Sequence, residues 1–381
     1  MASDQTIEVP PPGAWAEAGL DPHDVAVSVE GWFEANARLL PWRPNWDGGS
    51  IRGERDPWRA LVSEAMLQQT QVSRVVRRFE AFIAAFPTPR AMADAGEDAV
   101  VAAWAGMGYY RRARNLYRAA VMICEEHGGE VPREEAALRA LPGVGRYTAG
   151  AIASMVYGRC APIVDGNVSR VLLRLFARDG AAGERETDTW AWERAEELVG
   201  AADEPGLLNE GVMELGATVC LPGRGFGGAR CEDCPLREVC RARAEHRVGE
   251  IPRPKARSGR VVIHAAAVVC VDKEGRVLLE RRPEHGLWAG MWQAPTLEGV
   301  EVAEPEDVLA FSRGQMVDRI GLFTHATTHR EVRFSVWHAE GMRASKSRVR
   351  VGLEEALSGK SGLALSNAAK RCLRVWSKKK G

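Results

Sequence analysis

The stretch Leu141-Pro142-Gly143-Val144-Gly145-Arg146-Tyr147-Thr148-Ala149-Gly150 decides the fold. A short helix is predicted before it, at 134–140, and an apolar helix after it. Gly143 and Gly145 let the backbone come close to a ligand, and the turn's amides open the next helix, where an anionic group is favoured. The pattern is a helix-hairpin-helix over 134–157, a sequence-independent grip on a nucleic-acid backbone. An ordinary turn between helices with a glycine cap is the plainer alternative. The full string, with helix on both sides, favours the hairpin.

Outward from the hairpin, helical periodicity dominates up to about residue 245. Its clearest case is Val72, Val75, Val76, Phe79, Phe82, Ile83 and Phe86, spaced for one face of a helix. Similar patterns recur near 25–38, 57–69, 91–104, 110–126, 146–157 and 206–219. Residues 249–260, rich in Pro, Gly, Ser and basic side chains, read as a linker. The pattern then turns to strands at Val261–Val271, Val277–Leu279 and around Val332, Phe334 and Val336, with a helix expected near 365–375. The expected organisation is an acidic arm (1–24), an all-α domain (25–248), the linker, and a small α+β domain (261–381). A chain of 381 residues can bury such cores without disulfides.

The formal net charge is zero, yet the charge is segregated. Residues 1–37 hold seven acids and no base, whereas Arg343 to Lys380 holds 11 bases and two acids. A neutral total therefore does not exclude a polyanionic partner. No apolar window reaches the length of a membrane span, and the N-terminus lacks the features of a secretory signal, so a cytoplasmic protein is expected.

Two constellations carry chemistry. Cys220, Cys231, Cys234 and Cys240 fall within 21 residues. Four thiolates suit Zn²⁺ or a [4Fe–4S] cluster, which spacing does not separate. The second is a pair of acids. Glu64 stands in an otherwise apolar helix, and Asp165 in Val164-Asp165-Gly166-Asn167-Val168. Each has a plain reading, Glu64 on a solvated face and Asp165 as a helix cap. Beside a backbone-gripping hairpin they become candidates for a carboxylate pair acting on a glycosidic bond.

The strings LPWR (40–43), SEAMLQQTQV (63–72), GMGYYRRARNL (106–116), LPGVGRYTAGAI (141–152), VDGNVSRVL (164–172) and NEGVMELGATVC (209–220) resemble the MutY family of adenine DNA glycosylases, in the family's order. The resemblance implies a helix-hairpin-helix glycosylase with one [4Fe–4S] cluster on Cys220, Cys231, Cys234 and Cys240. The partner it implies is double-stranded DNA containing A:8-oxoguanine or A:G mispairs, and the protein is expected to act as a monomer. By resemblance Glu64 is the general acid and Asp165 stabilises an oxocarbenium-like sugar. Tyr147 and Asn167 organise the site, and Arg38 and Glu210 line the adenine pocket. Gln69 and Tyr109 wedge into the duplex near 8-oxoguanine, with Trp42, Arg43, Thr70 and Met107 nearby. The ten-residue spacer between Cys220 and Cys231 is longer than the family's and rich in glycine.

The C-terminal domain resembles the family's Nudix-like 8-oxoguanine recognition domain through Leu287–Pro295 and a loop at Phe323-Thr324-His325. The glutamate-rich box of true Nudix hydrolases is absent, which argues against pyrophosphate hydrolysis. Residues 1–254 contain no lysine, since the first is Lys255. A lysine Schiff base, the means by which related enzymes nick the strand, is thus excluded from the helical domain. Two other readings share the scaffold: a pyrimidine glycosylase, and a non-catalytic iron–sulfur DNA-binding protein. The intact Glu64, Tyr147, Asp165 and Asn167 argue against the second of these.

Overall fold

The structure, a computed structural model, describes residues 13–181, 183–223, 228–254, 260–299, 301–312, 315–327, 329–345 and 347–380. Residues 1–12 of the acidic arm, Gly225 and Gly227 of the cysteine spacer, and 255–259 of the linker lie outside the described residues. The expected all-α region and α+β region are both present. The helices of the first are α1 (Ala14–Glu17), α2 (Pro22–Asn36), α3 (Pro57–Leu67) and α4 (Val72–Ala85). They continue with α5 (Pro89–Ala95), α6 (Glu97–Ala103), α7 (Arg111–Glu126), α8 (Glu135–Ala140) and α9 (Arg146–Met155). The last four are α10 (Gly166–Leu175), α11 (Arg185–Gly200), α12 (Pro205–Thr218) and α13 (Arg241–Ala244). The single helix expected over 91–104 is two, because Gly96 turns the chain at φ +83° between α5 and α6.

The chain divides into two compact units, Met1–Glu64 with Glu130–Ala256, and Ala65–Gly129 with Arg257–Gly381. One break falls at Ala256/Arg257, and two more, at Glu64/Ala65 and Gly129/Glu130, put helices α4 to α7 in one unit with the C-terminal residues. In the first unit, α10 packs among α11, α12 and α13 over a core that includes Leu172, Leu173, Trp190, Leu198 and Leu215. Helix α10 follows the expected Asp165 cap. Its buried run from Val168 to Leu175 includes Arg170 and Arg174. Their guanidiniums are satisfied by carbonyls rather than solvent: Arg170 donates to Cys220 O and Gly216 O at 2.7 Å each, and Arg174 to Ile251 O at 2.8 Å. Val168, Val171, Leu172 and Leu175 form the apolar face of α10, and Arg170 and Arg174 lie together on another face that is also buried.

In the second unit, β1 (Val261–Val269), β2 (Arg276–Arg281), β3 (Trp292–Gln293), β4 (Thr296–Gly299), β5 (Gln315–Ala326), β6 (Arg330–Glu340) and β7 (Arg348–Gly352) form two sheets. Their orders are β4-β1-β6-β5 and β3-β2-β7, and β1 runs parallel to β6. Helices α14 (Pro305–Ser312), α15 (Leu353–Ser358) and α16 (Asn367–Lys380) complete it. Ala368, Ala369, Cys372 and Leu373 of α16 pack on the core with Val336 and Phe334 of β6. Arg114 of α7 ties the helical segment of this unit to the loop before β3, donating to Ala289 O at 2.6 Å and pairing with Glu97 at 3.1 Å.

Candidate active site and metal centre

The hairpin is α8, a turn through 141–145, and α9. Gly143 has φ +84°, so a left-handed residue is needed there. Gly145 has φ −93° and ψ −179°, which any residue adopts. Both are exposed, and nothing lies within 4 Å of a side chain built at Gly145, so its surface stays open to a ligand. Two residues beyond it, α9 presents Tyr147 to Glu64.

Glu64 lies on α3 with 8% of its surface exposed. It is not on a solvated face. Burial pushes its carboxyl up to about 7; the Glu210 and Asp165 carboxylates add to the rise, while a hydrogen bond from Tyr147 and the charge of Arg55 oppose it. Burial and the same carboxylates raise the Tyr147 phenol well above its usual value. The Tyr147 hydroxyl also lies 3.0 Å from Met213 Sδ. A protonated Glu64 leaves the phenol proton to this sulfur, and an ionised Glu64 draws it away.

Asp165 is the N-cap of α10. Its Oδ1 accepts from the amides of Asn167 at 2.8 Å and Val168 at 2.7 Å. Its Oδ2 accepts from Asn167 Nδ2 at 2.9 Å. The plain reading of this residue as a cap is therefore realised, and it leaves the carboxylate fixed close enough to Glu64 to raise it. Asn167 is itself oriented by Arg170, whose Nη2 donates to Oδ1 at 2.9 Å. Gly216 lets α12 approach: a Cβ there would sit 2.6 Å from Asn167 Cβ.

Three arginines and two glutamates form a network beside this pair, buried except for the Arg38 side chain. Arg43 joins Glu210 at 2.9 Å and Glu214 at 3.0 Å, Arg38 joins Glu214 at 2.5 Å, and Arg55 joins Glu210. Burial alone would raise Glu210, but Arg43 and Arg55 outweigh it and hold the carboxyl below its usual range. Glu214 is likewise lowered against burial by Arg38 and Arg43. Arg43 is a buried member of this network, with its side chain 5% exposed, and Arg38 pairs with Glu214. Trp42 is half-buried beside them. Sequence reasoning missed Arg55 and Glu214. The available signal was a pair of acids at i and i+4 in the apolar helix α12, which burial obliges to find cations.

In the second unit, Gln69 and Tyr109 occupy two turns with φ +53° and +48°. Both are exposed, and both are non-glycine residues held left-handed, a conformation costing about 1–2 kcal/mol that clusters at functional sites. Arg112, also missed, holds the two turns together. It donates to Ala65 O, Met66 O and Thr70 Oγ1 on one side and Gly108 O on the other, at 2.8–3.1 Å. Burial draws its guanidinium down to about 10. Thr70 thus serves as an acceptor in this clamp. The Met107 side chain is 2% exposed, so it belongs to the core rather than to a ligand-facing surface.

Phe323, Thr324 and His325 lie in strand β5 and not in a loop, paired with Phe334, Arg333 and Val332. Strand alternation separates them. Thr324 is exposed, whereas Phe323 is buried and stacked on Phe334 at 4.8 Å, and His325 meets Trp288 at 5.5 Å.

Cys220, Cys231, Cys234 and Cys240 line one cavity of about 30 Å³ with Arg174, Arg237 and Arg243. All four are free thiols. Burial pushes Cys234 up to about 12, and the neighbouring thiols add to it. Arg174 Nη1 lies 3.2 Å from Cys220 Sγ. Among the described residues no His, Cys, Asp or Glu group is gathered as for a single metal ion. Four thiols around one arginine-walled cavity are a donor set that fits an iron–sulfur cluster.

The fold and hairpin define the class. Residues 62–197 match the HhH-GPD superfamily of base excision DNA repair proteins, and 266–374 match a Nudix domain. A thermostable thymine-DNA glycosylase structure is similar over 59% of this chain and 97% of its own, at 25% identity and a TM-score of 0.50. The human adenine DNA glycosylase is 34% identical over 71% of this chain, which spans 57% of that relative. Those of Schizosaccharomyces pombe (32% identity, 73% of this chain, 70% of the relative) and Buchnera aphidicola of Acyrthosiphon pisum (30%, 72% and 75%) are covered more fully. The chain belongs to the adenine DNA glycosylase family.

Proposed function

We propose that this chain is a monofunctional DNA glycosylase that removes adenine mispaired with 8-oxoguanine or guanine by hydrolysing the N-glycosidic bond. One observation carries the reading: a buried carboxyl pushed up to about 7, Glu64, faces a second carboxylate, Asp165, fixed by two backbone amides. Glu64 donates its proton to adenine N7, which makes the base a leaving group. The C1′–N9 electron pair leaves with adenine, and Asp165 stabilises the positive charge left on the sugar. The ionised Glu64 then takes a proton from the attacking water, which restores the acid and yields an abasic site. Protonation at N7 serves a purine, which favours adenine over a pyrimidine.

On this reading 25–248 is the catalytic domain and 261–381 the recognition domain. Gly143 and Gly145 meet a phosphate. Gln69 and Tyr109 fill the gap left by the extruded adenine, and their strained turns, clamped by Arg112, support that role. Arg43 and Arg55 keep Glu210 ionised at the adenine pocket. Phe323, Thr324 and His325 serve 8-oxoguanine. Thr324 is exposed to meet it; Phe323 and His325 need a rearrangement to do so.

The absence of lysine from residues 1–254 sets the first test. Duplexes carrying A:8-oxoguanine, A:G, T:G and C:8-oxoguanine are incubated with the protein, then split with and without hot alkali. Cleavage of the adenine strand is expected only after alkali. Preferred cleavage at T:G would overturn the substrate reading, and cleavage without alkali would overturn the monofunctional one.

We further propose that Cys220, Cys231, Cys234 and Cys240 hold a [4Fe–4S] cluster, with Arg174 donating to the Cys220 sulfur. The cluster would be structural here, bracing the loop that follows α12. Anaerobically purified protein is expected to show the broad visible absorption of iron–sulfur charge transfer and about four irons per chain. A colourless protein with one zinc would refute the assignment.

A further inference from the structure

The C-terminal helix carries charge that neither the core nor the proposed chemistry uses. Ala368, Ala369, Cys372 and Leu373 of α16 face the core. The opposite face exposes Asn367, Arg371, Arg374 and Lys378 at i, i+4, i+7 and i+11. Lys379 is paired with Asp318 at 2.6 Å. By contrast Arg371, Arg374 and Lys378 have no carboxylate partner among the described residues. Arg371 lies over the Phe323 ring at 4.3 Å and donates to Thr324 O at 3.4 Å, which leaves most of its donors free.

Arg78 of α4 adds to this face from the helical segment of the same unit. It is exposed, and its Nη2 would lie 2.9 Å from a Cβ at Gly106, in the turn that carries Tyr109. Its charge acts on Lys370, whose ammonium is held below its usual range by burial and by the Arg374 and Arg78 cations. Four like charges kept together without an acid are costly unless an anion completes the set. Arg78 reaches the Gly106 turn that leads to Tyr109, and Arg371 reaches the strand that carries Thr324.

We propose that Arg78, Lys370, Arg371 and Arg374 form a clamp on the phosphate backbone of duplex DNA, on the strand that bears the base opposite the excised adenine. The strand assignment rests on the function proposed above; the backbone contact does not. Phosphate is the fitting ligand because the donors are an ammonium and two guanidiniums of α16 with a third guanidinium from α4.

The test is the salt dependence of binding by the full chain. Affinity for an A:8-oxoguanine duplex and for an undamaged duplex is measured from low to moderate salt. The double variant Lys370→Gln/Arg374→Gln is expected to make the slope of log K against log salt shallower by about 2, roughly one per contact, on both duplexes. Lys370→Arg/Arg374→Lys is expected to keep the slope. An unchanged slope in the glutamine variant, with its melting temperature retained, would overturn the clamp and leave the face to an acidic protein partner. If the glutamine variant melts early, Arg78→Ala alone is expected to lower the slope by about 1, and no change there also overturns it. Wild-type excision separates the two proposals. Normal excision with an unchanged slope sinks only the clamp; no excision with a reduced slope sinks only the glycosylase reading.

Discussion

Replacing Glu64 by glutamine is expected to slow single-turnover excision of adenine by about 10²–10⁴-fold, with duplex affinity nearly retained. The amide keeps the shape and a polar end beside Tyr147 but has no proton to give. The pH profile makes the test specific. Glu64 titrates near 7 because burial disfavours its anion. The acid is therefore present below about 7, and the wild-type rate is expected to fall above it by about tenfold per pH unit. The glutamine variant is expected to be slow and flat. Wild-type stability also falls as pH rises. The folded carboxyl titrates above its unfolded value of 4.5, so the fold binds the extra proton between 4.5 and about 7. Its burden on stability is absent below 4.5, grows through that window, and is complete above 7, at most about 3 kcal/mol. Glu64→Gln should thus melt higher than wild type at pH 8 and close to it at pH 5. A variant with lost activity and lowered stability at pH 8 would point to a structural Glu64 instead.

How much of this was legible in the sequence follows from what each residue does to its neighbours. The hairpin was readable because Gly143 is needed for its turn and the flanking helices have clean apolar periods. Glu64 was readable as an anomaly, an acid within Trp58–Leu67. Its elevated carboxyl was not, because that depends on Tyr147, Asp165 and Glu210 arriving from α9, the start of α10 and α12. Asp165 was legible as a cap from its turn, and the same two amide bonds that cap α10 fix the carboxylate that the proposed chemistry needs. One residue can do both, so the plain reading and the functional one were never exclusive. What the sequence does not show is that Arg170 and Arg174, on the side of α10 away from its apolar residues, are buried as well. Arg55, Glu214 and Arg112 were silent for a related reason: a buried charge is recognisable only when its partners are known, and these are distant in sequence. Strand β5 lacks a sustained apolar alternation, since Leu322 is exposed and Asp318 and Arg319 interrupt it. The Phe323-Thr324-His325 triplet was expected in a loop only because it resembles a loop of the family.

Replacing Asp165 is expected to separate binding from chemistry. Asp165→Asn removes the charge that would face the oxocarbenium ion. Loss of one such electrostatic partner is expected to lower the excision rate by about 10²–10³-fold or more. The cap largely survives, because an amide oxygen can still accept from the amides of Asn167 and Val168. A conflict does arise at the other atom. The new Nδ2 would face Asn167 Nδ2, a donor 2.9 Å from the present Oδ2, and Arg170 holds the Asn167 oxygen so that the amide cannot simply turn over. A cost of about 1 kcal/mol follows from that unmade bond. Asp165→Ser avoids the conflict: serine is a strong N-cap with a single oxygen for the helix amides and no charge. The serine and asparagine variants are both expected to fold, bind the mispair and fail to excise. Their shared property is the missing carboxylate, while their local hydrogen bonding differs. Burial of a structural cap predicts the opposite pattern, with near-normal excision by the serine variant and a loss that tracks melting temperature. Measuring the single-turnover rate, the duplex affinity and the melting temperature on the same two proteins distinguishes these cases. Near-normal excision by either stable variant would remove Asp165 from the chemistry and leave it with the cap of α10 alone.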